Sequence, residues 1–168
     1  MRSILNFIIL TLIIETQVLA QPKKIQFKNL ADTSFQVGDI ISRPAIIFKR
    51  GECYLQNETI DSLKLLAKFL KNNPKLKIEI STHTDIRGKK EQNLKLTECR
   101  ATNIFDYLTT ILFIPTDKIE VKGYGDTKPL YNKVYFEKIW KKHPVDIKNI
   151  ERLHSKNIRT EIKVEQVN

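Results

Sequence analysis

The sequence predicts a two-layer α/β (α+β) sandwich, in the order β-α-β-α-β-β, with helices on one face of a mixed sheet and a segment inserted at 131–156. Three observations lead there. The stretches "LKIEIST" (76–82) and "NIRTEIKVEQV" (157–167) alternate apolar and polar residues, the period of a strand with one face covered. Between and before them, Leu63, Leu66, Ala67 and Leu70, then Ala101, Phe105, Leu108 and Leu112, recur at helical spacing. The length of 168 residues suits one domain with a real core.

Taken in order, residues 1–20 have the layout of a secretory signal: Arg2, the apolar run "ILNFIILTLII" (4–14), then "ETQVLAQ" with Val18 and Ala20 before the expected cut. A membrane span needs about 20 apolar residues, and Glu15 stops this run short, so an uncleaved anchor is the lesser alternative. Residues 21–43 read as an N-terminal extension with a short strand near 34–41, and the domain proper as 44–168. "PAIIF" (44–48) predicts a buried strand. "RGECYLQNET" is a loop, with Asn57 in position to cap a helix over 58–72 that "NNP" closes. The second helix is expected over about 90–112, with Leu94 joining the apolar stripe. "KIEVKGYG" (118–125) is a third strand ending in a glycine-bearing turn. The insert, aromatic and basic, holds one or two short helices, and its Phe136 and Trp140 are candidate docking residues.

The chain carries 29 Lys and Arg against 19 Asp and Glu, a net charge of +10. Removing 1–20 takes away one of each, Arg2 and Glu15, so the balance stays. Such a charge reports attraction to something anionic. An exported chain rarely meets nucleic acid, which leaves an acidic envelope polymer or a membrane surface. The basic residues are scattered, and a solvated surface accounts for most of them.

One acid and one base stand apart from that background. Asp85 sits where the 76–82 strand ends, and Asn93, Thr97 and Arg100 fall at i, i+4 and i+7 on one stripe of the following helix. A structural ion pair or cap is the plain reading of this spacing. Three features favour a site. Lys89 and Lys90 crowd a helix start, where the macrodipole disfavours cations. Gly88 permits a tight turn. An arginine beside an acid and an amide offers opposite recognition groups to a zwitterionic ligand.

In these residues the chain resembles the OmpA-like C-terminal domain family, related to the peptidoglycan-associated lipoprotein and flagellar stator B-subunit domains. The pattern T-D-x-x-G-x(4)-N-x-x-L-[ST]-x-x-R-A is met without a gap by Thr84, Asp85, Gly88, Asn93, Leu96, Thr97, Arg100 and Ala101. "KGYGDTKPL" (122–130) and "HSKNIRTEIKV" (154–164) continue the likeness, which spans roughly 44–165. Thr82 stands where the family has Gly before the His, Lys49 where Asp follows the Phe, and Ile158 where an Arg is usual.

The resemblance implies non-covalent binding of peptidoglycan through the diaminopimelate of its stem peptide. Asp85 would take the ammonium and Arg100 the carboxylate, with Asn93, Thr84 and Thr97 completing the shell and Arg159 a secondary candidate. An arginine's planar fork suits a carboxylate. The resemblance also implies a periplasmic domain tied to the outer membrane and peptidoglycan of a Gram-negative-type envelope, with an envelope protein as a further partner and no cofactor, metal or nucleic acid. The alternative is an interaction module in which Asp85 and Arg100 are structural. An enzyme would have to use His83 with Asp85, but the three histidines and the acids show no ligand spacing. In an oxidising compartment Cys53 and Cys99 are expected to form a disulfide, since this fold brings the loop after strand one near the second helix; two buried thiols are the alternative. The exported protein should begin at Gln21, which an intact-mass measurement checks; a retained apolar segment would make it an anchored protein.

Overall fold

A computed structural model describes residues 26–43, 45–142 and 147–167; the signal expected over 1–20 lies outside them. Five strands form one mixed sheet in the order β1-β2-β5-β3-β4. They are β1 (Phe27–Asn29), β2 (Ile40–Arg43), β3 (Lys77–His83), β4 (Ile119–Gly123) and β5 (Arg159–Gln166). Helices α1 (Asn57–Asn72) and α2 (Lys90–Asp106) precede β3 and β4; α3 (Lys133–Lys142) and α4 (Ile147–Asn157) form the insert before β5. β3 runs parallel to β4 and antiparallel to β5, while β2 pairs antiparallel with β5 and parallel with β1. Parallel neighbours need a crossover, and α2 supplies the one between β3 and β4.

Pleating sends Ile78 and Ile80 of β3 to one side, in register with Ile119 and Val121 of β4 and with Val164 and Ile162 of β5. That side meets Leu63, Leu66 and Leu70 of α1 and Ile104 and Leu108 beyond it in one buried cluster. The opposite side of β3, with Glu79, Ser81 and His83, is polar yet also buried. Polar groups withdrawn from water need partners, and Glu79 finds one in Lys122 Nζ at 2.6 Å. The last carbonyls of α1 are met by Lys118, whose Nζ lies 3.1 Å from Leu70 O and 3.3 Å from Asn73 O.

Several local expectations shift. The strand expected over 44–48 does not form at 45–48; the strand just before it is Ile40–Arg43. Proline, which has no N–H for a ladder, follows at 44. Residues 45–48 run beside α1 instead, with Ser62 Oγ donating to Ala45 O and Thr59 Oγ1 to Ile47 O. The segment read as an N-terminal extension therefore contributes β1 and β2 to the sheet. Gln56, whose side chain makes no capping bond, occupies the cap position assigned to Asn57. α2 ends at Asp106 and continues as a wider turn over Tyr107–Ile111. Leu94 is 40 % exposed, and Ile104 is buried in the stripe instead. The described residues of the insert form two helices. Its Phe136 is buried against His154, ring centroids 4.0 Å apart, while Trp140 is exposed.

What positions α2 is contact with backbone. A Cβ on Gly123 would lie 2.4 Å from Glu98 N and 2.6 Å from Thr97 C, so the helix can approach β4 only over a glycine. Thr82 Oγ1 donates to Thr97 O at 2.8 Å, Gly125 N donates to Thr97 Oγ1 at 2.9 Å, and Thr84 N donates to Gly125 O at 2.8 Å. Together these bonds lock the end of β3, the turn after β4 and the middle of α2. Gly123→Ala should force the helix off the sheet. Overpacking costs about 1–3 kcal/mol and sometimes more, and a collision with backbone belongs at the upper end. A urea denaturation midpoint compared with the parent measures it.

Candidate functional site

Beyond β3, the chain turns at Asp85–Gly88 into α2, and the loop 49–56 comes down over the same end. Between them lies a cleft of about 240 Å³ lined by Arg50, Gly51, Thr84, Asp85, Arg87, Gly88, Asn93, Leu96, Arg100 and Ile158. Of the six residues expected to form the site, four line it: Asp85, Arg100, Asn93 and Thr84. Thr97 is fully buried, its hydroxyl spent on Gly125 N and on helix carbonyls behind it. Arg159 lies in the neighbouring cleft, which shares Arg100 and Ile158 with the first. Its guanidinium is held by Glu161 at 2.6 Å and by the carbonyls of Asn157 and Lys128.

Arg100 is 2 % exposed. Its Nε donates to Glu52 O at 2.8 Å and its Nη2 to Lys49 O at 3.0 Å, and the guanidinium lies 4.9 Å from the centroid of Phe48. Among the described residues no carboxylate pairs with it. Burial pulls its affinity for the proton below the usual arginine value, yet an arginine stays charged in a protein. The result is a cation withdrawn from water and compensated only by dipoles, an arrangement that is costly unless something anionic arrives.

The loop that supplies those carbonyls is tied to α2. Cys53 and Cys99 are joined in a disulfide, with Cα atoms 5.8 Å apart, and Asn103 Nδ2 donates to Cys53 O at 2.8 Å. The loop is thus fixed one residue from Arg100 on the helix.

Asp85 is engaged by its own loop. Oδ1 accepts from Arg87 N at 2.9 Å, and Oδ2 accepts from Arg87 Nε at 2.8 Å and Nη2 at 2.5 Å. The hydrogen bond to Asp85, opposed by burial and aided by Glu151, holds the Arg87 guanidinium above its usual value. Asn93 Nδ2 fixes the turn by donating to Arg87 O at 2.9 Å and Asp85 O at 3.4 Å. Gly88, at φ +91°, makes that turn possible. The Thr84 hydroxyl, in a residue 6 % exposed, has no hydrogen-bond partner in the fold and borders the cleft.

Sequence reasoning missed Arg87 and Arg50. Arg87, two residues from Asp85 in the same basic loop, was within reach of a local reading; Arg50 was not, because only the folded loop brings it to α2. Leu96 and Ile158 were read as pattern positions and prove to be walls of the cleft.

His83 stands outside the cleft. It stacks on Tyr124 at 5.3 Å and has Nε2 3.3 Å from Ser81 Oγ and 3.9 Å from Glu161 Oε2. Among the described residues no group of three or more His, Cys, Asp or Glu side chains could hold a metal ion. Burial first, then the Arg159 charge, lower the His83 pKa to about 4, with Glu161 opposing and Lys128 adding to the fall. The folded state therefore refuses a proton that the unfolded chain takes up near pH 6.5. Stability present above that pH is lost as the pH falls toward 4, by up to about 3 kcal/mol in all. Urea midpoints at pH 7.5 and 5.5 should differ by more in the parent than in His83→Gln.

The molecule is thus a mixed α/β sandwich with a cleft at one end of its sheet, floored by an arginine that meets only backbone carbonyls and a ring, and edged by a carboxylate. The chain belongs to the OmpA family, which matches it over residues 47–136. Among curated proteins it is 30 % identical over 83 residues to the peptidoglycan-associated lipoprotein of Legionella pneumophila, covering 49 % of this chain and 47 % of that one. It is 40 % identical over 76 residues to outer membrane protein A of Buchnera aphidicola, covering 44 % and 22 %. The chain thus spans about half the length, or less, of these relatives. Among solved structures, the peptidoglycan-associated lipoprotein of Burkholderia pseudomallei superposes with a TM-score of 0.53 at 22 % identity, over 71 % of this chain and 88 % of that one. The C-terminal domain of Helicobacter pylori MotB gives 0.54 at 18 %, over 73 % and 84 %. These likenesses establish the fold.

Proposed function

We propose that this domain binds peptidoglycan non-covalently by gripping the free end of a diaminopimelate residue in the stem peptide. The observation that carries the reading is Arg100: a buried cation at the floor of a cleft, without a carboxylate partner among the described residues. A ligand carboxylate would supply the missing counter-charge through a forked, charge-assisted contact. Asp85, on the same cleft, is the group for the ligand's ammonium, and the unpartnered Thr84 hydroxyl is placed to add a bond. Peptidoglycan association in the names of the Legionella and Burkholderia relatives supports the polymer as partner. Localisation follows: an exported domain in the periplasm, between outer membrane and cell wall. Among the described residues no helix is long and apolar enough to cross a membrane. In this reading the protein tethers or scaffolds the envelope and catalyses nothing.

Pulldown with purified sacculi tests it. Arg100→Ala and Asp85→Ala should each abolish retention while circular dichroism remains that of the parent. Truncating one partner of a desolvated charge pair costs about 2–5 kcal/mol, roughly 30-fold to several thousand-fold in affinity. Sacculi with lysine in place of diaminopimelate should be held more weakly, since lysine keeps the ammonium and lacks the carboxylate. Retention of both alanine variants at the parent's level would make the pair structural and leave the domain an interaction module.

A further inference from the structure

The carboxylate assigned to the ligand is not empty. Arg87 covers Asp85 through Nε and Nη2 and at the same time reaches out of the cleft, where its Nη1 lies 2.8 Å from Glu151 Oε1. One guanidinium thus spans two carboxylates of different character. The Asp85 side chain is 9 % exposed, whereas that of Glu151, on α4 and 64 residues beyond Arg87 in sequence, is mostly in water. The backbone of Arg87 is anchored by Asn93 and by Asp85 Oδ1, so an exchange of partners falls to the side chain, which is held only through its guanidinium. α4 keeps Glu151 in place through a face that includes the buried Leu153 and through His154, stacked on Phe136 with Nδ1 4.0 Å from Asp85 Oδ2.

We propose that Arg87 is a displaceable occupant of the site: its guanidinium stands in for a ligand ammonium on Asp85, and Glu151 receives it when the ligand arrives. This rests on the diaminopimelate reading above and adds how the cleft selects its ligand. The exchange balances in charge. Before binding, Arg87 serves Asp85 and Glu151 while Arg100 is unmatched; afterwards the ligand ammonium serves Asp85, Arg87 serves Glu151, and the ligand carboxylate serves Arg100. A ligand lacking the ammonium leaves Arg87 in place and meets a cleft whose acid is closed. A ligand lacking the carboxylate displaces Arg87 but gains nothing at Arg100. Discrimination between a two-ended amino acid and either half follows from that double condition, since specificity is a difference between competing interactions. The family match ends at residue 136, so Glu151 and His154 lie beyond it.

Isothermal titration of the exported protein with free meso-diaminopimelate tests this. Arg87→Met removes the internal competitor and keeps the length of the side chain. It should bind about threefold to tenfold tighter, the scale of a partly exposed charge-assisted pair. Glu151→Gln should bind about threefold weaker in the parent, and should change nothing once Arg87 is Met. Damage to the fold loosens binding and cannot reproduce the tighter affinity or the vanishing effect of Glu151. In the unmutated protein, the Arg87 Nε–Hε resonance should move on saturation with diaminopimelate, because its bond to Asp85 is lost. Weaker binding by Arg87→Met would make Arg87 a direct ligand contact, and an unchanged affinity or an unmoved resonance would make it a bystander; either overturns the proposal and leaves the peptidoglycan reading standing. If neither the parent nor Arg87→Met binds diaminopimelate, the peptidoglycan reading falls and takes this one with it.

Discussion

The backbone of α2 rests on Gly123 and the turn at Gly125 with no room for a side chain between them, and the geometry of the cleft follows from that approach. Because Thr97 is clamped between Thr82 Oγ1 at its carbonyl and Gly125 N at its hydroxyl, the helix can neither slide nor rotate. Asn93 lies one turn before this clamp and Arg100 one turn after it. Both are therefore held against the end of β3, where Asp85 emerges. The groups proposed for recognition sit on loops and a helix, but the rigidity that fixes their separation is that of the sheet.

Charge is distributed unequally within the cleft, and the inequality is informative. Asp85 has an internal partner in Arg87, whereas Arg100 is met by the carbonyls of Lys49 and Glu52. Those carbonyls stay available because the loop that carries them is closed onto α2 by the Cys53–Cys99 bond and by Asn103. A cross-link closing so long a loop restricts the unfolded chain, and here it also holds the acceptors on which a buried guanidinium relies. Under the proposed function, stability and recognition share one set of contacts.

The insert between β4 and β5 joins the packing to the candidate site too. Asn157 binds both the N–H and the carbonyl of Tyr131, at 2.9 and 2.8 Å, and so ties the two ends of the insert together. Phe136 and Leu153 are buried, which makes these two helices a packed part of the domain. From that platform Glu151 and His154 reach the Asp85 loop, so a segment that looked like a peripheral docking surface also borders the site.

The sequence by itself determined the sandwich, its two main helices and the closing strand, because period-2 and period-3.6 patterns report which face of an element is covered. It also placed Asp85, Asn93 and Arg100 near one another, since a strand end, a short loop and the first turns of a helix are local geometry. It misplaced the first strand at 44–48, where pattern alone does not say whether an apolar run pairs in the sheet or lies beside a helix. It put Leu94 in the core because a stripe extends past the point where the partner surface ends. What only the tertiary structure decided concerns groups far apart in the chain: that Arg100 meets carbonyls 48 and 51 residues before it rather than Asp85, and that Arg87 takes the acid while also meeting Glu151 on its other side. These depend on which loops close over the end of the sheet, and no periodicity in a chain encodes the distance between two loops.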